Sequence, residues 1–140
     1  MAINSRGTVA YELKEGAYNG NLFIDFINNK LKVYFQNNPT DVLVMDNCSF
    51  HHRHDVINLL KELNISHDFL PPYTPQLNPI EEYFSCLKAR FTTIKPRPKK
   101  REEIFSSVSN LIVSQNVCFE GWFRHMRVWV ERGIARHEFH

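Results

Sequence analysis

The sequence has few cysteines and no long apolar run, and each absence excludes a class of protein. Cys48, Cys86 and Cys118 are odd in number and widely spaced, which argues against a disulfide framework and a zinc knuckle and predicts reduced thiols. No stretch approaches the roughly 18 apolar residues of a membrane span. Residues 1–6 lack the apolar core of a signal peptide. We therefore expect a soluble intracellular protein with no membrane partner, nuclear if eukaryotic and otherwise cytoplasmic.

The composition is that of one ordinary globular domain. The 140 residues are 43% hydrophobic and 13% aromatic, which is neither disordered nor fibrous and suffices for a single core. The net charge of +2 is small, but seven of the fourteen residues from 88 to 101 are Lys or Arg and none is acidic. We call residues 88–101 the basic segment. It is either a solvated linker or a surface that contacts phosphates. Its candidate nucleic-acid-binding residues are Lys88, Arg90, Lys95, Arg97, Lys99, Lys100 and Arg101.

Hydrophobic patterning predicts strands interleaved with helices. The predicted strands span 7–13, 42–45 and 65–70, and the predicted helices span 22–34, 56–63, 79–91, 104–112 and 119–130. A turn before the first strand places it in a hairpin. Either Asn19 or Asn21 caps the first helix, and Gly133 ends the last. The run from Val42 to Met45 is apolar throughout, as in a parallel strand buried on both faces.

Two carboxylates carry the chemistry that the sequence predicts. Asp46 ends the apolar run, and Glu81 lies in the first turn of the helix that Pro79 begins. The 34 residues between them hold one helix and one strand, so a parallel βαβ unit can bring both to one sheet edge. Magnesium takes one or two carboxylates, keeps several waters and accepts phosphate oxygens. We predict that Asp46 and Glu81 are catalytic residues and ligands of Mg²⁺ or Mn²⁺.

Three blocks of the sequence resemble the second and third catalytic blocks of the mariner-type DDE transposases. They are DNCSFH at 46–51, PPYTPQLNPIE at 71–81 and LK at 87–88. The resemblance extends from about residue 2 to about residue 91. It implies an α/β, ribonuclease-H-like fold in which two Asp and one Glu hold two magnesium ions that cut DNA and join it to a target. By that resemblance Asp46 matches the second aspartate and Glu81 the final glutamate.

The match to this family omits its first aspartate. In the family this residue lies on a strand that precedes the hairpin, whereas here Met1 stands at the hairpin. Among the aspartates before Asp46, Asp25 has a helical position that predicts a solvated side chain. We therefore expect a ribonuclease-H-like domain truncated at its N-terminal strand over residues 1–94, with a basic linker and C-terminal helices over 95–140. A fragment, a decayed copy or a misannotated start would each give this pattern, with weak or no cutting by the chain alone.

Structural alternatives accompany the candidate residues. Glu81 could close a capping box with Asn78, and Asp46 could begin a turn. The histidines at 51, 52 and 54 have no metal-ligand spacing and are interpreted as surface residues at a helix start. Trp122 and Trp129 share a helical face, which favours packing over base stacking.

Two functions remain after these arguments. The first is a nucleic-acid-binding DDE transposase or endonuclease domain, incomplete here, with DNA as partner and Lys88 as a phosphate contact. The alternative is a domesticated, non-catalytic protein that binds DNA or forms a homodimer through its aromatic C-terminal helices.

Overall fold

The structure, a computed structural model, describes residues 1–114 and 119–138, so Cys118 lies outside the described residues. The chain divides into two compact units. The first contains Met1 and Val9–Thr74, and the second contains Ala2–Thr8 and Pro75–His140. The predicted domain boundary after residue 94 stays a prediction.

The predicted hairpin is confirmed at the start of the chain. Strands β1 (Ala2–Asn4) and β2 (Gly7–Ala10) pair in a two-stranded sheet. The Asn4 side chain closes the turn, because its Oδ1 accepts the backbone N–H of Arg6 at 2.8 Å and that of Gly7 at 3.1 Å. Strand β2 ends at Ala10, whereas the predicted strand extended to residue 13. The strand is shorter because its partner β1 has only three residues with which to pair.

A helical stretch of 18 residues follows in the first unit. It consists of α1 (Gly20–Phe26), a π-helical turn (Ile27–Leu31) and α2 (Lys32–Asn37). Asn19 is the N-cap, and its side chain accepts the N–H of Leu22 at 3.0 Å. Asp25 is exposed, as predicted.

The π turn has a cause in the hydrophobic spacing. Phe23, Ile27, Leu31 and Phe35 are all buried and recur every four residues. Three turns of an α-helix contain about 11 residues, because each turn has about 3.6 residues. The three intervals between these buried side chains contain 12 residues, which is about one residue more. One wider π turn absorbs that residue and keeps the four side chains on one face.

The predicted parallel βαβ unit is present. Strands β3 (Leu43–Met45) and β4 (His67–Phe69) are parallel, and α3 (His54–Glu62) connects them. Leu43 pairs with His67 and Met45 with Phe69. This register places the residues after Met45 and after Phe69 at the same sheet edge.

A left-handed Asn64 ends α3 and turns the chain into β4. Asn64 has φ 54°, and its N–H donates to the Lys61 carbonyl at 3.0 Å. The N–H of Ile65 donates to the Leu60 carbonyl at 2.9 Å, which completes a Schellman motif. Ile65 and Leu60 are both buried, so the apolar contact typical of this motif contributes to the core.

The prediction that residues 42–45 are buried on both faces is wrong. Met45 is 5% exposed, but Val42 and Val44 are 54% and 55% exposed. Side chains alternate between the faces of a strand, and this sheet has two strands among the described residues. One face therefore packs on the helices while the other, with Asp68 opposite Val44, faces solvent.

The second unit is helical after a short 3₁₀ turn. Its helices are α4 (Pro79–Thr92), α5 (Arg101–Val113) and α6 (Phe119–Glu138). Tyr83 is almost fully buried, and its ring lies 5.3 Å from that of Phe119 and 5.8 Å from that of Trp122. Trp122 therefore packs in the core, as predicted. Helix α6 continues through Gly133, so the prediction that Gly133 ends it is wrong.

No helix in the described ranges is long and apolar enough to span a bilayer.

Candidate metal and nucleic-acid site

Asp46 lies at the carboxyl end of β3, where a short turn holds one of its oxygens. The N–H of Cys48 donates to Oδ1 at 3.0 Å, and His51 Nδ1 lies 2.8 Å from the same atom. Asp46 therefore begins a turn, as its structural alternative predicted. Yet the side chain is 48% exposed, and Oδ2 has no partner among residues 1–114 and 119–138. One oxygen fixes the carboxylate and the other is open to a ligand.

His51 is a residue of this site that sequence reasoning missed. Its side chain is only 16% exposed and lies against the rings of Phe23 and Phe50, at centroid distances of 4.7 and 4.5 Å. The prediction of a surface histidine is therefore wrong for His51. The five-residue spacing between Asp46 and His51 was the only feature of the sequence that could have indicated this contact. The 3₁₀ turn at Ser49–His52 brings the ring back to the carboxylate, and the sequence did not predict that turn.

The neighbouring histidines are exposed, as predicted. His52 nevertheless stacks on Phe69 with centroids 4.0 Å apart, and its Nε2 lies 3.1 Å from Asn47 Oδ1. His54 contacts Asn58 on the first turns of α3.

Tyr18, in the same unit, has a raised pKa. Burial is the main cause, and the negative charges of Glu12 and Asp25 add to it, so the pKa of Tyr18 rises to about 12. The Tyr18 ring lies 5.7 Å from that of Phe50, which extends the aromatic cluster under His51.

The proline-rich loop, residues 71–75, starts beside Asp46. The N–H of Leu70 donates to the Met45 carbonyl at 2.8 Å, and the Leu70 carbonyl accepts a hydrogen bond from Asn47 Nδ2. Leu70 is thus bonded to both sequence neighbours of Asp46. After it, Thr74 Oγ1 donates to the Pro71 carbonyl at 2.5 Å and closes a turn. The start of the proline-rich loop is therefore anchored at the carboxyl edge of the sheet.

Glu81 lies in the first turn of α4 with its side chain exposed. Its carboxylate has no hydrogen bond or ion pair within the part of the chain that the structure describes. Asn78 makes no side-chain capping bond, so the predicted capping-box alternative is wrong. The helix N-terminus instead leaves partial positive charge beside Glu81, which favours anions such as phosphate.

The adjacent Glu82 has a structural role. Its Oε1 lies 2.6 Å from His125 Nδ1, and Trp129 Nε1–H donates to His125 Nε2 at 3.2 Å. This chain of contacts connects α4 to α6. Glu82 is therefore engaged where Glu81 is open.

The donor chemistry fits a hydrated hard cation. Asp46 and Glu81 each present an open carboxylate oxygen, the ligand that Mg²⁺ and Mn²⁺ prefer. No cluster of three or more His, Cys, Asp or Glu side chains suited to a metal occurs in the described ranges. Asp46 belongs to the first unit and Glu81 to the second.

The basic segment runs from the second half of α4 through a linker into α5. The side chains of Lys88, Lys95, Arg97 and Lys99 are exposed and form no ion pair with a described carboxylate. The Arg101 guanidinium lies 5.8 Å above the Phe105 ring. Unpaired cationic groups can neutralise phosphates without first breaking a protein ion pair.

Comparison with known families gives a match over most of the chain. The sequence model of the DDE superfamily endonuclease family matches residues 1–104. This range contains Asp46, the proline-rich loop, Glu81 and the whole basic segment. No curated protein matches the chain.

Proposed function

The chain belongs to the DDE superfamily endonuclease family, and we propose that it is a mariner-type, ribonuclease-H-like transposase domain that binds DNA. Family membership suggests nuclease or transposase chemistry, and a nuclease domain implies DNA as substrate. The observation that carries the proposal is Asp46, fixed through one oxygen at the end of a parallel strand, inside a family match that also spans Glu81.

In this proposal Asp46 and Glu81 are the catalytic carboxylates that hold Mg²⁺ or Mn²⁺. Their pairing is supported by the family match and by the open oxygens of both side chains. A two-metal site of this kind activates the attacking water or hydroxyl and stabilises the leaving oxygen. Lys88, seven residues after Glu81 on α4, acts as a point charge for a phosphate of the substrate.

The basic segment supplies the sequence-independent part of DNA binding. Lys88, Lys95, Arg97 and Lys99 are exposed cations that would contact the phosphate backbone. Each phosphate that they neutralise releases condensed counterions, so the affinity falls steeply as salt is added. Arg90, Lys100 and Arg101 complete the proposed interface.

Cleavage, as distinct from binding, needs a third carboxylate in this proposal. Two carboxylates hold one hydrated cation, but the family chemistry uses two cations and three acidic residues. A plasmid-nicking assay with Mg²⁺ or Mn²⁺ tests this directly, on this chain and on a chain extended upstream by an in-frame strand ending in Asp. We expect only the extended chain to nick, and to lose nicking on Asp46→Asn or Glu81→Gln. Nicking by the 140-residue chain would contradict the proposal.

A non-catalytic, domesticated protein is the second candidate. The observation that favours it is α6, which lies outside the family match and exposes Val128 and Val130 by 38% and 41%. If this candidate is correct, Val128→Ser with Val130→Ser dissociates a dimer in sedimentation experiments. Asp46→Asn then leaves every measurable activity unchanged.

A further inference from the structure

Tyr73 is an exposed aromatic residue that the catalytic assignment does not use. We propose that its ring is a stacking platform for an unpaired nucleobase of the DNA substrate, next to the strand end that carries Asp46. This inference rests on the proposed DNA-binding function and adds to it a contact with a base. In that function the basic segment contacts phosphates, and the cation held by Asp46 and Glu81 also binds a phosphate, so neither contacts a base.

The first observation is the combination of exposure and backbone conformation at Tyr73. The residue is 100% exposed, the highest value among the exposed large hydrophobic residues, and its φ is 58°. Positive φ is uncommon for residues other than glycine and for bulky side chains is an outlier. The ring contacts no other aromatic ring among the described residues. Neither burial nor packing therefore compensates for the unfavourable conformation, and such outliers cluster at ligand-binding positions.

The second observation is the rigidity of the loop. Pro71 and Pro72 restrict the backbone before Tyr73, and the Thr74 hydroxyl donates to the Pro71 carbonyl at 2.5 Å. The ring is thus presented to solvent from a closed turn. A pre-ordered aromatic side chain loses little conformational freedom on binding, which is the property of an effective contact residue.

The third observation is the position of the loop relative to Asp46. Leu70 is hydrogen-bonded to Met45 and to Asn47, the two neighbours of Asp46, and Tyr73 follows three residues later. Three residues span at most about 10 to 11 Å when fully extended. The Tyr73 backbone therefore lies within about that distance of Leu70, at the sheet edge where the proposal places the scissile phosphate.

An unpaired base is the ligand that fits these observations. Both faces of the ring are accessible, and aromatic side chains stack on any base without regard to sequence. In an intact duplex each base is already stacked and its π-face is covered. A base next to the phosphate being cut must instead leave the stack to reach the ring, as in other enzymes that act on extruded nucleotides.

The test compares Tyr73→Asn with Tyr73→Phe in the full chain. Asn adopts positive φ more readily than other non-glycine residues but has no ring, whereas Phe keeps the ring and loses only the hydroxyl. Affinities for a fluorescent single-stranded oligonucleotide and for a fully paired duplex are measured by anisotropy at fixed salt. We expect Tyr73→Asn to weaken single-strand binding by roughly tenfold, within the range known for one stacked base, and duplex binding by less than about twofold. Tyr73→Phe should change neither affinity by more than about twofold.

Photocrosslinking identifies the contact. An oligonucleotide that carries 5-iodouracil is irradiated with the wild-type chain, and the modified peptide is identified by mass spectrometry. We expect the crosslink at Tyr73. If the wild type binds DNA but Tyr73→Asn has no effect on single-strand affinity and the crosslink lies elsewhere, the inference is wrong and the proposed function stands. If the wild type binds neither DNA at low salt, both fail.

Discussion

At the scale of single residues, Asp46 has a structural role in its turn and, in our proposal, a chemical role as a metal ligand. Its Oδ1 is bonded within the turn and Oδ2 is open, so the carboxylate is oriented before any ligand arrives. The sequence predicted Asp46 because an acidic residue directly after a short apolar run marks the end of a strand. It did not predict the contact with His51, since that contact depends on a 3₁₀ turn which periodicity does not reveal.

We predict that His51→Ala destabilises the fold by about 1 to 3 kcal/mol, because it removes a largely buried ring from the Phe23 and Phe50 cluster. Urea denaturation followed by circular dichroism measures this change. His54→Ala is the matched control, since His54 is exposed at the start of α3, and its effect should stay within about 0.5 kcal/mol. Equal stability losses in the two variants would show that the His51 ring contributes no packing.

At the scale of elements, the sequence predicted the order of strands and helices but not every local conformation. Apolar spacing predicted one regular helix over residues 22–34, and the structure inserts a π turn there. The four-residue spacing of the buried side chains indicated the π turn. A search for apolar residues at the usual 3.6-residue period does not distinguish this spacing from that of a regular helix. Likewise, four consecutive apolar residues predicted a strand buried on both faces, whereas burial of Val42 and Val44 requires neighbours that local sequence does not specify.

Deletion of Asn29 tests the explanation of the π turn. Asn29 is exposed within the turn, and removing it would force a regular α-helix. Each residue of an α-helix turns by about 100°, so the four buried side chains would stay within about 60° of one another on one face, because the deletion removes the one residue that the π turn absorbs. We therefore expect urea denaturation to show a loss of less than about 1 kcal/mol in the free energy of unfolding, well below that of a large core truncation. The substitution Asn29→Ala keeps the register and should cost less than about 0.5 kcal/mol.

A deletion variant that loses about 2 to 5 kcal/mol, as large core truncations do, would show that the π turn does not absorb a surplus residue.

At the scale of the whole molecule, the residues of the proposed function belong to two compact units. The first contains Asp46, His51 and Tyr73, and the second contains Glu81 and the basic segment. The resemblance of the blocks at 46–51 and 71–81 predicted a mariner-type DDE transposase, and the match over residues 1–104 confirms the DDE superfamily endonuclease family. Sequence blocks reveal a family because their residue types and spacing are specific. They do not reveal burial, because burial depends on which elements pack together.

We propose that Asp46 and Glu81 bind the same divalent cation. Paramagnetic broadening of backbone amide signals by Mn²⁺ measures this directly, because the effect is local to the bound ion and detects weak binding. The variants are Asp46→Asn and Glu81→Gln. The controls are Asp68→Asn, on the exposed face of β4, and Glu102→Gln, an exposed carboxylate in the first turn of α5.

We expect low Mn²⁺ to broaden the amide signals around Asp46 and around Glu81 over the same concentration range. Either Asp46→Asn or Glu81→Gln should then abolish both sets of effects, while Asp68→Asn and Glu102→Gln preserve them. If Glu81→Gln leaves the broadening around Asp46 intact, the two carboxylates bind cations independently and the proposed shared cation is wrong.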